Sequence, residues 1–291
     1  MYSNQDVLLQ LIQESLPNHN DNEIKEIVMQ LDLARNGNEE AMLNIAVLYK
    51  QLQKYDGYLF WLQSAASKGN VNAQYLLANC YIDGEIMEED YEEAFKLYKK
   101  AAEAGHADAA NNLADMYFNG EGVDQNDSEA VKWFTYAAEG NVVEAMFTLG
   151  IIYEQGLGVE IDEPLAFEYY LNAAQLGYEE AQYRMGTIFL DGLLGAEKDV
   201  GIAIEWFEEA ASVYHIDALF NLGYIFENGI GGRNNIKKAI QYYKQAALLG
   251  DLQSKLNIAR IYEQGIDIKK DLDKAKKWRL RAEQQMMIIE P

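Results

Sequence analysis

Apolar residues recur along this chain at the three- and four-residue spacing of a helical face, and glycine-containing breaks close each run before the pattern resumes. In one run, Ala109, Leu113, Ala114, Met116 and Tyr117 share a face, and Gly120-Glu-Gly122 stops the helix. The next helix is expected to open at Asn126 or Asp127 and run to Ala138. Its counterparts open at Asp90, Asp162, Asp199, Asn235 and Asp271, whose side chains can accept a hydrogen bond from the first free backbone N–H groups. Four residues after each opening stands an alanine (Ala94, Ala130, Ala166, Ala203, Ala239 or Ala275), small enough for two helix axes to approach. Trp133, Tyr169, Trp206, Tyr242 and Trp278 are expected to fill the space beside it. These second helices should end near Gly69, Gly105, Gly140, Gly177 and Gly250, where a left-handed residue ends a helix at least cost, with Tyr214 as the exception.

The helix pairs repeat. Ala65-Ala66, Ala101-Ala102, Ala137-Ala138, Ala173-Ala174, Ala210-Ala211 and Ala246-Ala247 follow one another at steps of 36, 36, 36, 37 and 36 residues. After each comes a large apolar residue beside Gly or Ala: Leu77-Ala78, Leu113-Ala114, Leu149-Gly150, Met185-Gly186, Leu222-Gly223 and Ile258-Ala259. A fixed period of this length means a solenoid whose units lack a core of their own and stack on their neighbours.

These units resemble Sel1-like repeats, relatives of the tetratricopeptide repeat, through motifs such as Ala145-x3-Leu149-Gly150-x2-Tyr153-x2-Gly156-x-Gly158-Val159 followed by Ala166-x2-Tyr169-Tyr170-x2-Ala173-Ala174-x2-Gly177. The resemblance covers seven units within residues 38–285 and implies an all-α, right-handed superhelical solenoid. Residues 1–37, with helical stretches at Gln5–Leu16 and Asn22–Asn36 broken at Pro17-Asn-His-Asn20, are expected to form a degenerate capping unit, and residues 286–291 a tail. Local departures fall in loops: Gln51-Leu-Gln-Lys-Tyr-Asp-Gly57 lacks the Gly-x-Gly turn, Gly192-Leu-Leu-Gly195 carries an extra residue, and the last unit reads Gly265-Ile-Asp-Ile268.

Catalytic and metal signals are thin. Cys80 is the single cysteine, so no internal disulfide or thiolate cluster can form, and its place in a first helix suits a packed small residue. His106 and His215 occupy the turn between repeats, a place read as shared with Asn70, Asn141, Tyr178 and Asp251 and so not a ligand slot; His19 lies in a polar loop. The glycine clusters lack the Lys-Ser/Thr of a phosphate-binding loop. No cofactor, catalytic residue or metal ligand is assigned. With no run of about 18 apolar residues and polar side chains interrupting the first apolar stretch, the expectation is a cytoplasmic protein without a membrane partner.

Charge changes the picture. The net charge of −23 is uneven: residues 233–291 hold 13 Lys/Arg against 7 Asp/Glu, whereas residues 1–232 hold 11 against 40. That surplus disfavours nucleic acid and anionic membrane and favours a basic protein partner, while the basic C-terminal repeat could meet an acidic surface, another copy of this chain included. On a helical wheel set to zero at each reference Leu, the face between about 140° and 240° carries Glu40, Asp83, Asp108, Asp115, Glu144, Glu154, Glu180, Asp191, Asp217, Glu227 and Glu263, opposed by Lys50 and Arg260. In tetratricopeptide-like solenoids the corresponding face lines the concave groove. Tyr75, Phe147, Tyr183 and Phe220 share it, with Tyr224 one turn on and the amides of Asn79 and Asn111 beside them. Two readings of these rings stand: anchors for a partner, or packing between neighbouring helices.

The expected function is therefore protein binding, with Tyr75, Asn79, Asp83, Asn111, Asp115, Phe147, Glu154, Tyr183, Asp191, Phe220, Tyr224 and Glu227 receiving a basic protein surface or peptide. The resemblance implies an adaptor or scaffold, or an immunity protein that occludes a toxin. A hydrolase using paired carboxylates is the competing class, and in so acidic a chain close carboxylates arise by chance.

Overall fold

The structure, a computed structural model, describes residues 5–15, 21–265 and 267–289. Pro17, His19 and the rest of the first break lie outside them. The described residues form sixteen α-helices and no strand, so the fold is all-α. Contacts divide the chain into an N-terminal unit, Met1–Ala145, and a C-terminal unit, Met146–Pro291. The helices begun in the N-terminal unit are α1 Gln5–Ser15, α2 Asp21–Arg35, α3 Glu39–Gln51, α4 Tyr55–Lys68, α5 Val71–Asp83, α6 Tyr91–Glu103, α7 Ala107–Asn119, α8 Asp127–Glu139 and α9 Val143–Gln155, the last lying mostly in the C-terminal unit. That unit continues with α10 Glu163–Gln175, α11 Glu179–Asp191, α12 Val200–Ser212, α13 Ile216–Asn228, α14 Ile236–Leu248, α15 Leu252–Gln264 and α16 Leu272–Ile289. Within each unit successive helices pack on one another.

The second helices start where their polar residues can cap them. Asp90, Asn126, Asp162, Asp199, Asn235 and Asp271 each accept a hydrogen bond from the backbone N–H three residues on, at 2.9–3.1 Å. Several first helices are capped from the turn between repeats in the same way, whereas Tyr178 before α11 makes no such bond. Asn70 and Asp251 accept from Ala73 and Ser254 through oxygen, and His106 and His215 accept from Ala109 and Ala218 through Nδ1 at 3.2 Å. The two histidines thus hold helix N-termini, with Nδ1 unprotonated.

Two sequence expectations need correction. Gly69, Gly105, Gly177 and Gly250 are left-handed, with φ between 92° and 106°, but Gly140 has φ −79° and Asn141, at φ 63°, makes that turn. Asn141 therefore belongs with the left-handed glycines and does not share the histidines' place. The exception at Tyr214 is a non-glycine residue in the same left-handed conformation, φ 68°. The second correction concerns the core. Trp133, Tyr169, Trp206, Tyr242 and Trp278 are only half-buried; the rings that fill the interior are their chain neighbours Phe134, Tyr170, Phe207 and Tyr243, joined by Tyr98. The periodic small residue explains the difference. A Cβ on Gly150, Gly186 or Gly223 would stand 2.6 Å from the ring of Tyr170, Phe207 or Tyr243, so glycine receives the face of the next ring. Cys80 is buried, its Sγ 3.7 Å from the Tyr58 hydroxyl, as a packed small residue should be.

Candidate functional site

The N-terminal unit gathers five of the expected site residues around the Tyr98 phenol of α6. Its hydroxyl donates to Asn79 Oδ1 at 2.5 Å, and the Asn112 amide donates back to the phenolic oxygen. Tyr75 lies 6.1 Å from the Tyr98 ring and stacks on His106 at 4.4 Å. From Asn112 the polar chain continues on α7: Asn111 Nδ2 donates to Asn112 Oδ1 at 3.4 Å and to Asp115 Oδ2 at 3.3 Å. Asn111 Oδ1 is buried and has no hydrogen-bond partner among the described residues. Asp83, exposed at the end of α5, is near enough to act on Tyr98 electrostatically.

The electrostatics of this cluster are one-sided. Neither Asp83 nor Asp115 forms an ion pair among the described residues. Burial, helped by the negative charge of Glu121, pushes the Asp115 carboxyl up to about 6. A half-buried carboxylate with no cation beside it holds its proton more tightly, and for the same reason gains from an incoming ammonium or guanidinium group.

The C-terminal unit arranges the same face differently. Glu154 accepts from the Tyr170 hydroxyl at 2.8 Å and pairs with Arg184, whose guanidinium lies 5.6 Å above the Tyr170 ring. Glu227 repeats this with the Tyr243 hydroxyl at 2.9 Å and Arg260 at 2.5 Å, and Glu263 takes Arg279 at 2.6 Å. Burial and the adjacent glutamates push both phenols well above the ordinary tyrosine value, so they remain hydrogen-bond donors. Three acidic residues of the wheel are thus neutralised from within the protein. Arg184 escaped the wheel because it falls just outside the chosen arc, and Arg279 because it comes from a second helix. A carboxylate and an arginine recurring 30 and 33 residues apart were the available signal.

The remaining predicted residues divide. Phe147 packs on Tyr170 and Tyr178 at 5.5 and 5.3 Å; Tyr183 packs on Phe207 at 5.7 Å and stacks on His215 at 4.7 Å; Phe220 packs on Tyr243 at 5.7 Å. These rings are part-buried between helices, as Tyr75 is beside Tyr98 and His106. Tyr224 and Asp191 are exposed. Among the described residues no helix is long and apolar enough to cross a membrane.

Comparison with known proteins agrees with this construction. The Sel1 repeat matches seven times, at residues 59–70, 71–106, 107–142, 143–178, 179–213, 216–251 and 253–285. A Sel1 repeat protein from Oxalobacter formigenes is 30% identical with a TM-score of 0.72, over 83% of this chain and 99% of that one. The protective antigen c5321 of uropathogenic Escherichia coli, which displays the same repeat fold, is 27% identical with a TM-score of 0.55, over 89% of this chain and 64% of that one. The immunity protein Pa5087 from Pseudomonas aeruginosa is 20% identical with a TM-score of 0.43, over 74% and 81%. No curated protein matches the chain. The chain belongs to the Sel1 repeat family, a protein-interaction fold.

Proposed function

We propose that the protein is a non-enzymatic interaction module whose N-terminal unit binds a basic segment of another protein on the face formed by α5 and α7. The carrying observation is the contrast in charge compensation: Asp83 and Asp115 form no ion pair among the described residues, whereas Glu154, Glu227 and Glu263 each hold an arginine. A lysine or arginine from a partner would supply to Asp115 what Arg184 and Arg260 supply further along. The Tyr75 ring and the Asn79 amide offer an apolar surface and a donor beside it. The long-range field of the acidic residues would steer such a segment inward.

A labelled, extended Arg/Lys peptide without an apolar stripe tests this by fluorescence anisotropy. The Asp83→Asn/Asp115→Asn double variant should weaken binding at least about tenfold. Binding by the native protein should also fall as pH drops through about 6, where Asp115 takes up its proton, and that fall should be absent in Asp115→Asn. Equal affinity in the native protein and the double variant would remove the N-terminal unit as the binding face.

A further inference from the structure

The second helices carry breaks in repetition of their own, and three of these meet in one groove of the N-terminal unit. Between α6 and α8 lies an open cavity of about 450 Å³ walled by Ala102, Glu103, Lys132, Trp133, Tyr136 and Glu139. None of these residues takes part in the cluster around the Tyr98 phenol. The place of Tyr136, just before each Ala-Ala pair, is polar in the other repeats: Ser64, Lys100, Asn172, Glu209 and Gln245. Here it is an aromatic ring, 40% exposed. Just after the pair stand Glu103 and Glu139, where the other repeats have Ser67, Gln175, Ser212 and Leu248. The two carboxylates at that place thus fall on the two walls of one groove.

The groove is arranged for a cation. Trp133 and Tyr136 meet edge to face with ring centres 5.9 Å apart, and the Lys132 ammonium lies 5.3 Å from the Trp133 ring. Lys132 is exposed and neutralised by Glu129 at 3.1 Å, so it can yield the ring to a cation that fits better. Glu103 and Glu139 are exposed and form no ion pair among the described residues, which leaves the groove two uncompensated negative charges. Among aromatic side chains the indole holds a cation best. Keeping it here has a cost: Trp133 Nε1 is buried and has no hydrogen-bond partner among the described residues, a penalty phenylalanine would avoid. The matching groove of the C-terminal unit, beside Trp206, measures about 310 Å³ and lacks the second ring, with Gln175 and Glu209 where Glu103 and Tyr136 stand.

We propose that the groove between α6 and α8 receives an arginine side chain of a partner protein. A guanidinium is planar, so it can lie on an aromatic face while the N–H groups along its edge donate to carboxylates on both sides. A lysine ammonium cannot stack in that way. Glu103 and Glu139 supply the two acceptors from successive second helices, and Tyr136 adds a second ring. The net charge of −23 favours a ligand of the same sign at long range. This site does not rest on the reading given to the face of α5 and α7.

The test uses the full chain labelled with 5-fluorotryptophan and followed by fluorine NMR, where its four tryptophans give separate signals and Trp133→Phe identifies one of them. Blocked Gly-Arg-Gly should shift the Trp133 signal with a dissociation constant of about 0.1–1 mM. Gly-citrulline-Gly, of the same shape without the charge, and Gly-Lys-Gly should bind at least about tenfold more weakly. The Glu103→Gln/Glu139→Gln double variant and Tyr136→Gln, all at exposed positions, should each weaken the arginine peptide at least about tenfold with helicity unchanged. The Trp206 signal should stay in place. No shift of the Trp133 signal up to about 10 mM, an equal response to citrulline or lysine, or equal affinity in the variants would overturn the proposal. So would a Trp206 signal that moves in step, the mark of general attraction to an acidic surface. Equal binding of tetramethylammonium, which needs the rings but has no N–H to donate, would overturn it as well. Asp115→Asn should leave the titration unchanged. A loss there would trace the shift to the cluster on α5 and α7 and refute this site, whereas failure of this site leaves the test of that cluster untouched.

Discussion

The two units of the chain share one construction and differ in how they treat charge. In both, a buried small residue of the first helix accompanies a buried ring of the second: Ala114 and Phe134 in the N-terminal unit, and Gly186 against Phe207 in the C-terminal unit. In the C-terminal unit three carboxylates on the first helices, Glu154, Glu227 and Glu263, pair with arginines, and the half-buried Glu227 is held by both Tyr243 and Arg260. In the N-terminal unit Asp115, also part-buried, accepts from the Asn111 amide and forms no ion pair among the described residues. The C-terminal unit pairs three of its acidic residues internally, whereas Asp83 and Asp115 of the N-terminal unit form no ion pair among the described residues. Repetition supplies the scaffold, and the breaks in repetition supply the candidate chemistry.

The comparison first requires that the cores be equivalent. Phe134→Ala and Phe207→Ala should each cost about 3–4 kcal/mol, measured by urea unfolding, because each removes a fully buried ring. Trp133→Ala and Trp206→Ala, at half-buried positions, should cost about 1 kcal/mol. A large difference between the two phenylalanines would mean that the units differ in packing, and the electrostatic contrast would lose its standing as the main distinction. The same series checks which ring of each Trp-Phe pair is interior.

The charge contrast makes two predictions of opposite sign. Arg260→Ala should destabilise by about 2 kcal/mol, since it leaves Glu227 enclosed beside Tyr243 without its cation; Arg260 is itself 43% exposed, which keeps the effect below that of a fully buried pair. Asp115→Asn should stabilise. Folding raises the Asp115 carboxyl to about 6, so the native state favours the protonated form, and the residue costs stability above that pH. The cost fades as pH falls through 6 and is gone below the ordinary carboxylate range near 4. At pH 8 the variant should gain about 1 kcal/mol over the native chain, discounted for the residue's partial exposure, and at pH 4 nothing. A gain that persists at pH 4 would assign it to something other than the carboxylate's charge.

Much of this architecture was legible in the sequence because a repeat prints its own constraints many times. The caps at Asp90, Asn126, Asp162, Asp199, Asn235 and Asp271 were readable from residue type and spacing, and the structure makes every one of those hydrogen bonds. What stayed hidden depends on direction. Trp206 and Phe207 are neighbours in the chain, and which of them turns inward is a matter of packing between helices, where the Phe207 ring lies against Gly186. The acidic face was visible as a wheel, but a wheel treats one helix at a time. Arg184 on α11 reaches Glu154 on α9, and no arc drawn on either helix contains that pair. The histidines were legible as turn residues but not as caps, because imidazole is an uncommon acceptor in that role.

The smallest effect concerns the turn at Tyr214. A left-handed conformation costs a side-chain-bearing residue roughly 1–2 kcal/mol, and glycine's greater freedom in the unfolded chain returns part of that. Tyr214→Gly should therefore raise stability by about 0.5–1 kcal/mol, seen as a small increase in Tm. Glycine already occupies this place at Gly69 and Gly105 in the N-terminal unit and at Gly177 and Gly250 in the C-terminal unit, so no new backbone geometry is introduced. A decrease would show that the ring supports the fold, and the turn would need no other reason for its tyrosine. An increase would mean that the C-terminal unit keeps a residue its own stability opposes, which is the expected mark of a surface retained for a partner.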